Sequence, residues 1–297
     1  MAAGLGNRMH PVTLSTPKPM VKVNGVRMID TVIDGLHENE IYEIYVVVGY
    51  LKEQFVTLEK EYSGVRLIEN PYYDTCNNIS SLYVAREHIE NAIILDGDQI
   101  IYNPEILAPE FERSGYNSVW TDGETDEWLQ TVENGIVTAC SRTGGKGGWQ
   151  LYSISRWTAE DGKKLKRHLE IEFEQKKNQQ IYWDDVAMFC YPKEYQLGIC
   201  PMNRDDIIEV DNLSELIARI NDPHPFLKVG IRITSQHFTP LRQEFIANHV
   251  PSGLFTYYRK SKMHVRMSQM VHHLTRITLS ARIIFCRMMT KKITCHR

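Results

Sequence analysis

A parallel α/β sheet is the architecture this sequence predicts, and three features carry the prediction. Continuous β-branched runs, 44–48 above all, read as strands buried on both faces. Helix-period segments separate these runs, giving a strand–helix–strand–helix rhythm up to residue 95. An acidic turn, Asp96-Gly97-Asp98, follows the last of them, at the carboxyl end where open α/β sheets bind ligands.

Element by element, the first extended segment spans 20–23 and turns at Asn24-Gly25, a strong hairpin signal. Met28, Ile29, Val32, Ile33 and Leu36 form one apolar stripe, so 28–39 is expected to be a helix. The strand at 44–48 ends at Gly49. A helix over 51–62, a strand at 65–68, a helix over 80–89 and a buried strand at 92–95 follow. The second half is more mixed. Strands are expected at 118–121, 129–132 and 150–154, a charged amphipathic helix over 159–175 and a short helix over 182–189. A strand at 208–210 then leads into a helix over 212–220 capped by Asn212. The glycine run 144–148 has the composition of a phosphate cradle but reads better as a hairpin tip.

The composition is that of a globular chain, with 42% hydrophobic and 24% charged residues in 297. No apolar run is long enough for a transmembrane helix, and no signal peptide precedes Gly4. The six cysteines are scattered without C-x-x-C pairing, as suits reduced thiols and a cytoplasmic setting. Charge divides the chain sharply. Residues 231–297 hold twelve Lys/Arg, six histidines and one acid, Glu244, whereas the rest carries 22 bases against 36 acids. A basic tail of this kind could bind nucleic acid or anionic lipid. Its lack of helical or strand period favours a non-native or disordered segment beyond a domain at 1–230. No nucleic-acid or membrane partner is expected.

The stretch from Gly4 to Lys18 reads as a loop made for a triphosphate. Glycines let the backbone approach an anion closely and point N–H groups at it. Arg8 and Lys18 add a bidentate cation and a point charge, while Pro11 and Pro17 restrict the loop. Its register, G-x-G-x-R-x-x-P-x-T-x-x-x-P-K, is neither a Walker A loop nor a dinucleotide-binding fingerprint. With this register the sequence resembles the nucleotidyltransferase (NTP-transferase) family over about residues 1–220. The resemblance implies a doubly wound, mostly parallel, Rossmann-like sheet with a mixed acceptor-binding half. It also implies an apolar strand directly before the glycine loop. Only Met1-Ala2-Ala3 precede Gly4, so that first strand is expected to be missing.

Further residues sharpen the resemblance toward the choline-phosphate cytidylyltransferase branch. Thr125-Asp126-Glu127-Trp128-Leu129 is similar to its Asn-Glu-Trp element, and Tyr182-Trp183-Asp184 to its Tyr-Trp-Asp element. Asn77-Asn78-Ile79-Ser80-Ser81-Leu82-Tyr83 is similar to the segment that reads the base, with a helix-cap and loop role the equal alternative for Asn78 and Ser80. The implied roles are these. Ala3, Gly4, Leu5, Gly6, Asn77, Asn78, Ser80 and Asp96 bind the nucleotide. Asp98 and Asp184 hold Mg²⁺, a hard cation suited to carboxylates and phosphate oxygens. Arg8 and Lys18 stabilise charge during transfer. Trp128 and Tyr182 face a quaternary ammonium, with Glu127 or Asp126 as counter-charge. Tyr152, Trp149 and Trp183 are weaker cage candidates, and Asp211, the other candidate for a second metal carboxylate, better fits a structural role or one just behind the ligands. The expected reaction is cytidylyl transfer from CTP to phosphocholine. A sugar 1-phosphate or 2-aminoethylphosphonate acceptor, or an inactive remnant, is the alternative.

Overall fold

The computed structural model describes residues 1–221. The basic segment expected at 231–297 lies outside the described residues. Two short strands, β1 (Lys22–Val23) and β2 (Val26–Arg27), close over the Asn24-Gly25 turn. Helix α1 (Met28–Glu38) follows at once and buries Ile29, Val32, Ile33 and Leu36, the apolar stripe read from its sequence. Strand β3 (Ile44–Val48) runs parallel to β4 (Val65–Glu69). The segment between them is a 3-10 helix, Lys52–Thr57, continued by one turn of α2 (Leu58–Glu61), rather than one long α-helix. Its two buried anchors, Phe55 and Leu58, stand three residues apart, which is the 3-10 repeat. Helix α3 (Ile79–Val84) is likewise shorter than expected and passes into a 3-10 turn at Arg86–His88.

Strand β5 (Ala92–Leu95) pairs antiparallel with the end of a long strand at Gly145–Trp157, not with β3. The gap between β3 and β5 contains Met1 to Ala3 at its carboxyl end. The Ala2 N–H donates to the Val47 carbonyl at 2.9 Å and the Gly97 N–H to the Met1 carbonyl at 2.9 Å. The rest of the gap is a cavity of about 450 Å³ walled by apolar side chains such as Ile29, Val46, Ile89 and Ile93. Parallel pairing is therefore less extensive than expected, because β3 and β5 are not joined.

The second half is a mixed sheet. Strand β6 (Gln99–Ile101) leaves the acidic turn, and β7 (Gly115–Thr125), β8 (Leu129–Glu133), β9 (Ile136–Ser141) and β10 (Gly145–Trp157) follow. In space the order is β11-β7-β10-β8-β9, with β11 (Gly198–Pro201) parallel to β7 and the other pairs antiparallel. The glycine run is a hairpin tip: Gly144 sits at φ 72°, and a Cβ there would strike the Thr125 carbonyl. Helix α4 (Ala159–Glu170) is capped by the Thr158 hydroxyl and ends in a π turn at Ile171–Gln175. A second π turn, Val186–Cys190, follows the Trp183-Asp184-Asp185 corner. Strand β12 (Ile207–Glu209) pairs with β6, and α5 (Leu213–Asn221) starts at Asn212, whose side chain accepts from the Glu215 N–H. No helix among the described residues is long and apolar enough to cross a membrane.

Candidate active site

The glycine loop folds as a series of tight 3-10 turns, Asn7–Met9, Val12–Leu14 and Lys18–Met20. Gly6 begins the first at φ 66°, a left-handed conformation that disfavours side chains. A Cβ there would also press on Thr13 at 3.0 Å. The buried Thr13 hydroxyl donates to the Gly6 carbonyl at 2.7 Å and closes the loop on itself. Met9 anchors it from below in an apolar cluster with Val21, Met28 and Val210. The loop is thus held by its own interior, leaving Gly4, Asn7 and Arg8 exposed.

Beneath it opens a cleft of about 300 Å³, lined by Gly4, Gly6, Arg8, Lys18, Asp98 and Asp211 among others. The cations in this cleft are already paired. Lys18 Nζ lies 2.7 Å from Asp98 Oδ2 and 3.0 Å from Asp211 Oδ1, and Arg8 Nη2 lies 2.9 Å from the same Asp211 oxygen. Burial works against the Lys18 charge, but Asp98 and then Asp211 outweigh it and hold its pKa above the usual range. Asp211, read from sequence as structural or as standing just behind the ligands, faces both Lys18 and Arg8. Its position two residues beyond β12, across the site from the loop, gave no sequence signal for that pairing.

Deeper along the acidic turn the balance reverses. Asp184 is pushed up to about 8, first by burial and then by the Asp96 carboxylate, against a lowering by the Tyr116 hydroxyl. Asp96 is itself raised, by burial above all, with Asp98 adding to the effect. Glu209, hydrogen-bonded by Gln99 at 2.8 Å, is pushed up to about 7, chiefly by burial, with Asp98 and Asp96 contributing. The expected pair Asp98 and Asp184 therefore communicates through Asp96. Among the described residues, no three His, Cys, Asp or Glu side chains form a ready-made metal cage. The donors present are nevertheless all hard oxygens, and the pKa values of Asp184, Asp96 and Glu209 are raised first by burial and then by neighbouring carboxylates, a cost that a divalent cation would offset.

The Trp183-Asp184-Asp185 corner is held by the segment expected to read the base. Asn78 Oδ1 accepts the Trp183 N–H at 2.9 Å, and Asn77 Nδ2 donates to the Gln180 carbonyl at 3.1 Å. Ser80 corrects an expectation. It is 1% exposed and its hydroxyl lies between the Asn77 carbonyl and the Asn70 amide, so it stands behind the loop rather than lining a base site. Ala3 is buried as well, and its carbonyl accepts from Tyr50.

The aromatic residues separate clearly. Trp183 is buried against Tyr116 and Trp157, and Tyr152 is buried in the main core, so neither is a cage wall. Trp149 packs on Trp120. Trp128 and Tyr182, by contrast, meet edge to face with centroids 5.7 Å apart, and Phe189 joins Trp128 at the same separation. Tyr182 is 47% exposed. Phe189 was not singled out from sequence, and nor was Arg142, whose guanidinium lies 4.0 Å from the Phe189 ring centre and 5.7 Å from that of Trp128. Arg142 also pairs with the buried Asp185 at 2.6 Å. Burial, then Asp211 and Asp126, raise the Glu127 pKa, with Arg8 acting against them.

The MobA-like NTP transferase domain family matches residues 1–157, more than half of the chain. The chain belongs to that family. A 2-aminoethylphosphonate cytidylyltransferase of Lancefieldella rimae is 38% identical over 220 residues, covering 73% of this chain and 89% of that protein. A choline-phosphate cytidylyltransferase of Streptococcus pneumoniae is 32% identical over 215 residues, covering 72% and 93%. The solved CTP:phosphocholine cytidylyltransferase of Streptococcus pneumoniae superposes with a TM-score of 0.69 at 32% identity, covering 73% of this chain and 94% of that one. The inositol-1-phosphate CTP transferase of T. maritima, at TM-score 0.57 and 14% identity over 75% and 94% of the chains, shares the fold. The chain has the nucleotidyltransferase fold, its class is that of a nucleotidyltransferase, and cytidylyltransferase activity is supported.

Proposed function

We propose that the chain transfers CMP from CTP to a small phosphorylated or phosphonylated acceptor bearing a cationic amine, with release of pyrophosphate. The observation that carries this reading is the Trp128–Tyr182–Phe189 ring cluster, which already has a guanidinium on it and lies beside the Asp184 corner. Aromatic faces attract cations through their quadrupole, an interaction worth about 2 kcal/mol when desolvated.

Arg8 and the loop N–H groups of Leu5 and Gly6 hold the β- and γ-phosphates, which take the place of Asp211 on the cations. Lys18 lies between the nucleotide and the acceptor and stabilises charge as the acceptor oxygen approaches the α-phosphorus. Asp98 and Asp184 would hold Mg²⁺, which when bound neutralises phosphate charge. Asn77 and Asn78 lie next to the base, with Asn78 also fixing the Asp184 corner. Positioning and charge stabilisation suffice for a phosphoryl-type transfer.

Phosphocholine is the acceptor the sequence favours. 2-Aminoethylphosphonate is a second reading, favoured by Asp185, a carboxylate at the rings able to accept hydrogen bonds from a primary ammonium. Pyrophosphate release measured with CTP and phosphocholine, 2-aminoethylphosphonate or glucose 1-phosphate tests the proposal. Turnover of either amine acceptor over the sugar phosphate supports it, and preference for the sugar phosphate overturns it.

A further inference from the structure

The rings that would receive the acceptor's cation are already occupied. Arg142, in the hairpin between β9 and β10, reaches over Phe189 and Trp128 and ends on Asp185. The two partners are unequally placed: the Arg142 side chain is 45% exposed, the Asp185 side chain 3%. Asp185 also accepts the Tyr182 N–H at 3.0 Å, so its carboxylate is fixed on the backbone of a ring-bearing residue. The guanidinium is therefore the movable half of the pair, and the carboxylate is the fixed half.

We propose that Arg142 is an acceptor-selecting residue, a resident cation that an incoming ammonium must replace on Asp185 and the ring faces. This rests on the amine-acceptor reading above. The replacement is chemically unequal for two kinds of cation. A primary ammonium carries three N–H donors and can take Arg142's place against Asp185 Oδ1, adding a hydrogen bond there as Arg142 leaves. A trimethylammonium has no donor, so it satisfies the rings but leaves the buried Asp185 with only the Tyr182 N–H on one oxygen and nothing donating to the other. Both cations carry the same charge, and both would fit aromatic faces. What separates them is the fate of Asp185. With Arg142 in place the site therefore favours an acceptor ending in a primary ammonium. Without it, neither cation has a resident to displace, and the advantage shrinks.

The test compares kcat/KM for 2-aminoethylphosphonate and phosphocholine, with phosphoethanolamine as the primary ammonium on an ester phosphate. These are measured on the full chain and on Arg142→Ala, Arg142→Gln and Arg142→Lys. The parent is expected to prefer both primary ammonium acceptors. Arg142→Ala should lower that preference by about tenfold or more, mainly through a lower KM for phosphocholine. Arg142→Lys, which keeps a cation able to reach a carboxylate, should restore most of it. Arg142→Gln keeps the stem without the charge and carries the test if the alanine variant loses its cooperative thermal transition. A preference unchanged in Arg142→Ala and Arg142→Gln would overturn the proposal. So would a parallel loss on all acceptors, which would make Arg142 a ligand of their shared phosphorus group. Parent preference for phosphocholine would overturn it while leaving the amine-acceptor reading intact. Turnover of glucose 1-phosphate alone would sink both.

Discussion

The two ends of the site hold their charges in opposite ways. In the proposed phosphate cleft, Arg8 and Lys18 share Asp211, and Lys18 also meets Asp98; the Arg8 pair is open to solvent, with Arg8 70% exposed and Asp211 36%. At the acceptor end one cation, Arg142, rests on rings and a carboxylate that is almost wholly buried. Exposed ion pairs contribute about 0–1 kcal/mol, so a triphosphate can displace Asp211 from Arg8 at little cost. Removing one partner of a buried pair costs several times more, about 3–5 kcal/mol, unless something replaces it. The phosphate cleft is thus arranged for exchange of one anion for another. The acceptor end demands that the incoming group match what it displaces, and discrimination should reside there.

The largest expected effect is at the junction of the two ends. Lys18→Ala removes the cation that the proposed reaction sets between nucleotide and acceptor, and leaves Asp98 and Asp211 without the cation they share. Turnover should fall by roughly 10²–10³-fold while the thermal unfolding transition persists. Near-parental pyrophosphate release by that variant would remove Lys18 from the chemistry.

Asp184 tests whether the acid-rich interior is strained until a cation arrives. Its folded pKa, about 8, lies above that of an ordinary aspartate, so between about pH 4 and 8 the folded chain binds the extra proton. Stability from this group is therefore full in acid and is lost as pH rises toward 8. In chelator, thermal unfolding of the parent should occur at lower temperature at pH 8 than at pH 5. Asp184→Asn should flatten that dependence and lose turnover, and Mg²⁺ should raise the parent's midpoint at pH 8 but not the variant's. An identical pH profile for the two proteins would show that Asp184 ionises normally.

A smaller effect is expected at the rings. Trp128→Ala removes one face but leaves Phe189 and Tyr182, so KM for an amine acceptor should rise by about tenfold, the equivalent of ~1.4 kcal/mol. KM for CTP should change little. A change confined to CTP would place Trp128 with the nucleotide instead.

Much of this contrast was legible in the sequence, for physical reasons that differ by region. The glycine loop is local: its turns are set by residues within fifteen positions, so register alone announced Arg8 and Lys18. Helix α1 and strand β3 likewise carry their burial in their own periodicity, whereas β5, expected to be buried, is mostly half-buried where it walls the cavity. Arg142 was not announced and Asp211 only as a lesser carboxylate, because each matters through a partner far away in the chain. Asp211 meets Lys18 across 193 positions, and Arg142 meets Asp185 through the folding of β9 and β10 against a π turn. Phe189 was read only as part of a helix, and its value to the site comes from the edge it presents to Trp128.

Asn78 is where local and distant readings disagree, and it offers the finest test. Its local context suggests a base reader or helix cap, whereas its side-chain carbonyl accepts the backbone N–H of Trp183, 105 positions away. Asn78→Ala leaves that N–H, next to Asp184, without its partner, at a cost of about 1–3 kcal/mol. If Asn78 chiefly fixes the corner, the variant should melt a few degrees lower and lose affinity for the acceptor, with KM for CTP nearly unchanged. A rise in KM for CTP with an unchanged acceptor KM would assign Asn78 to the base instead. The Asp184 corner would then have to be held by the Asn77 amide on Gln180 and by the burial of Trp183.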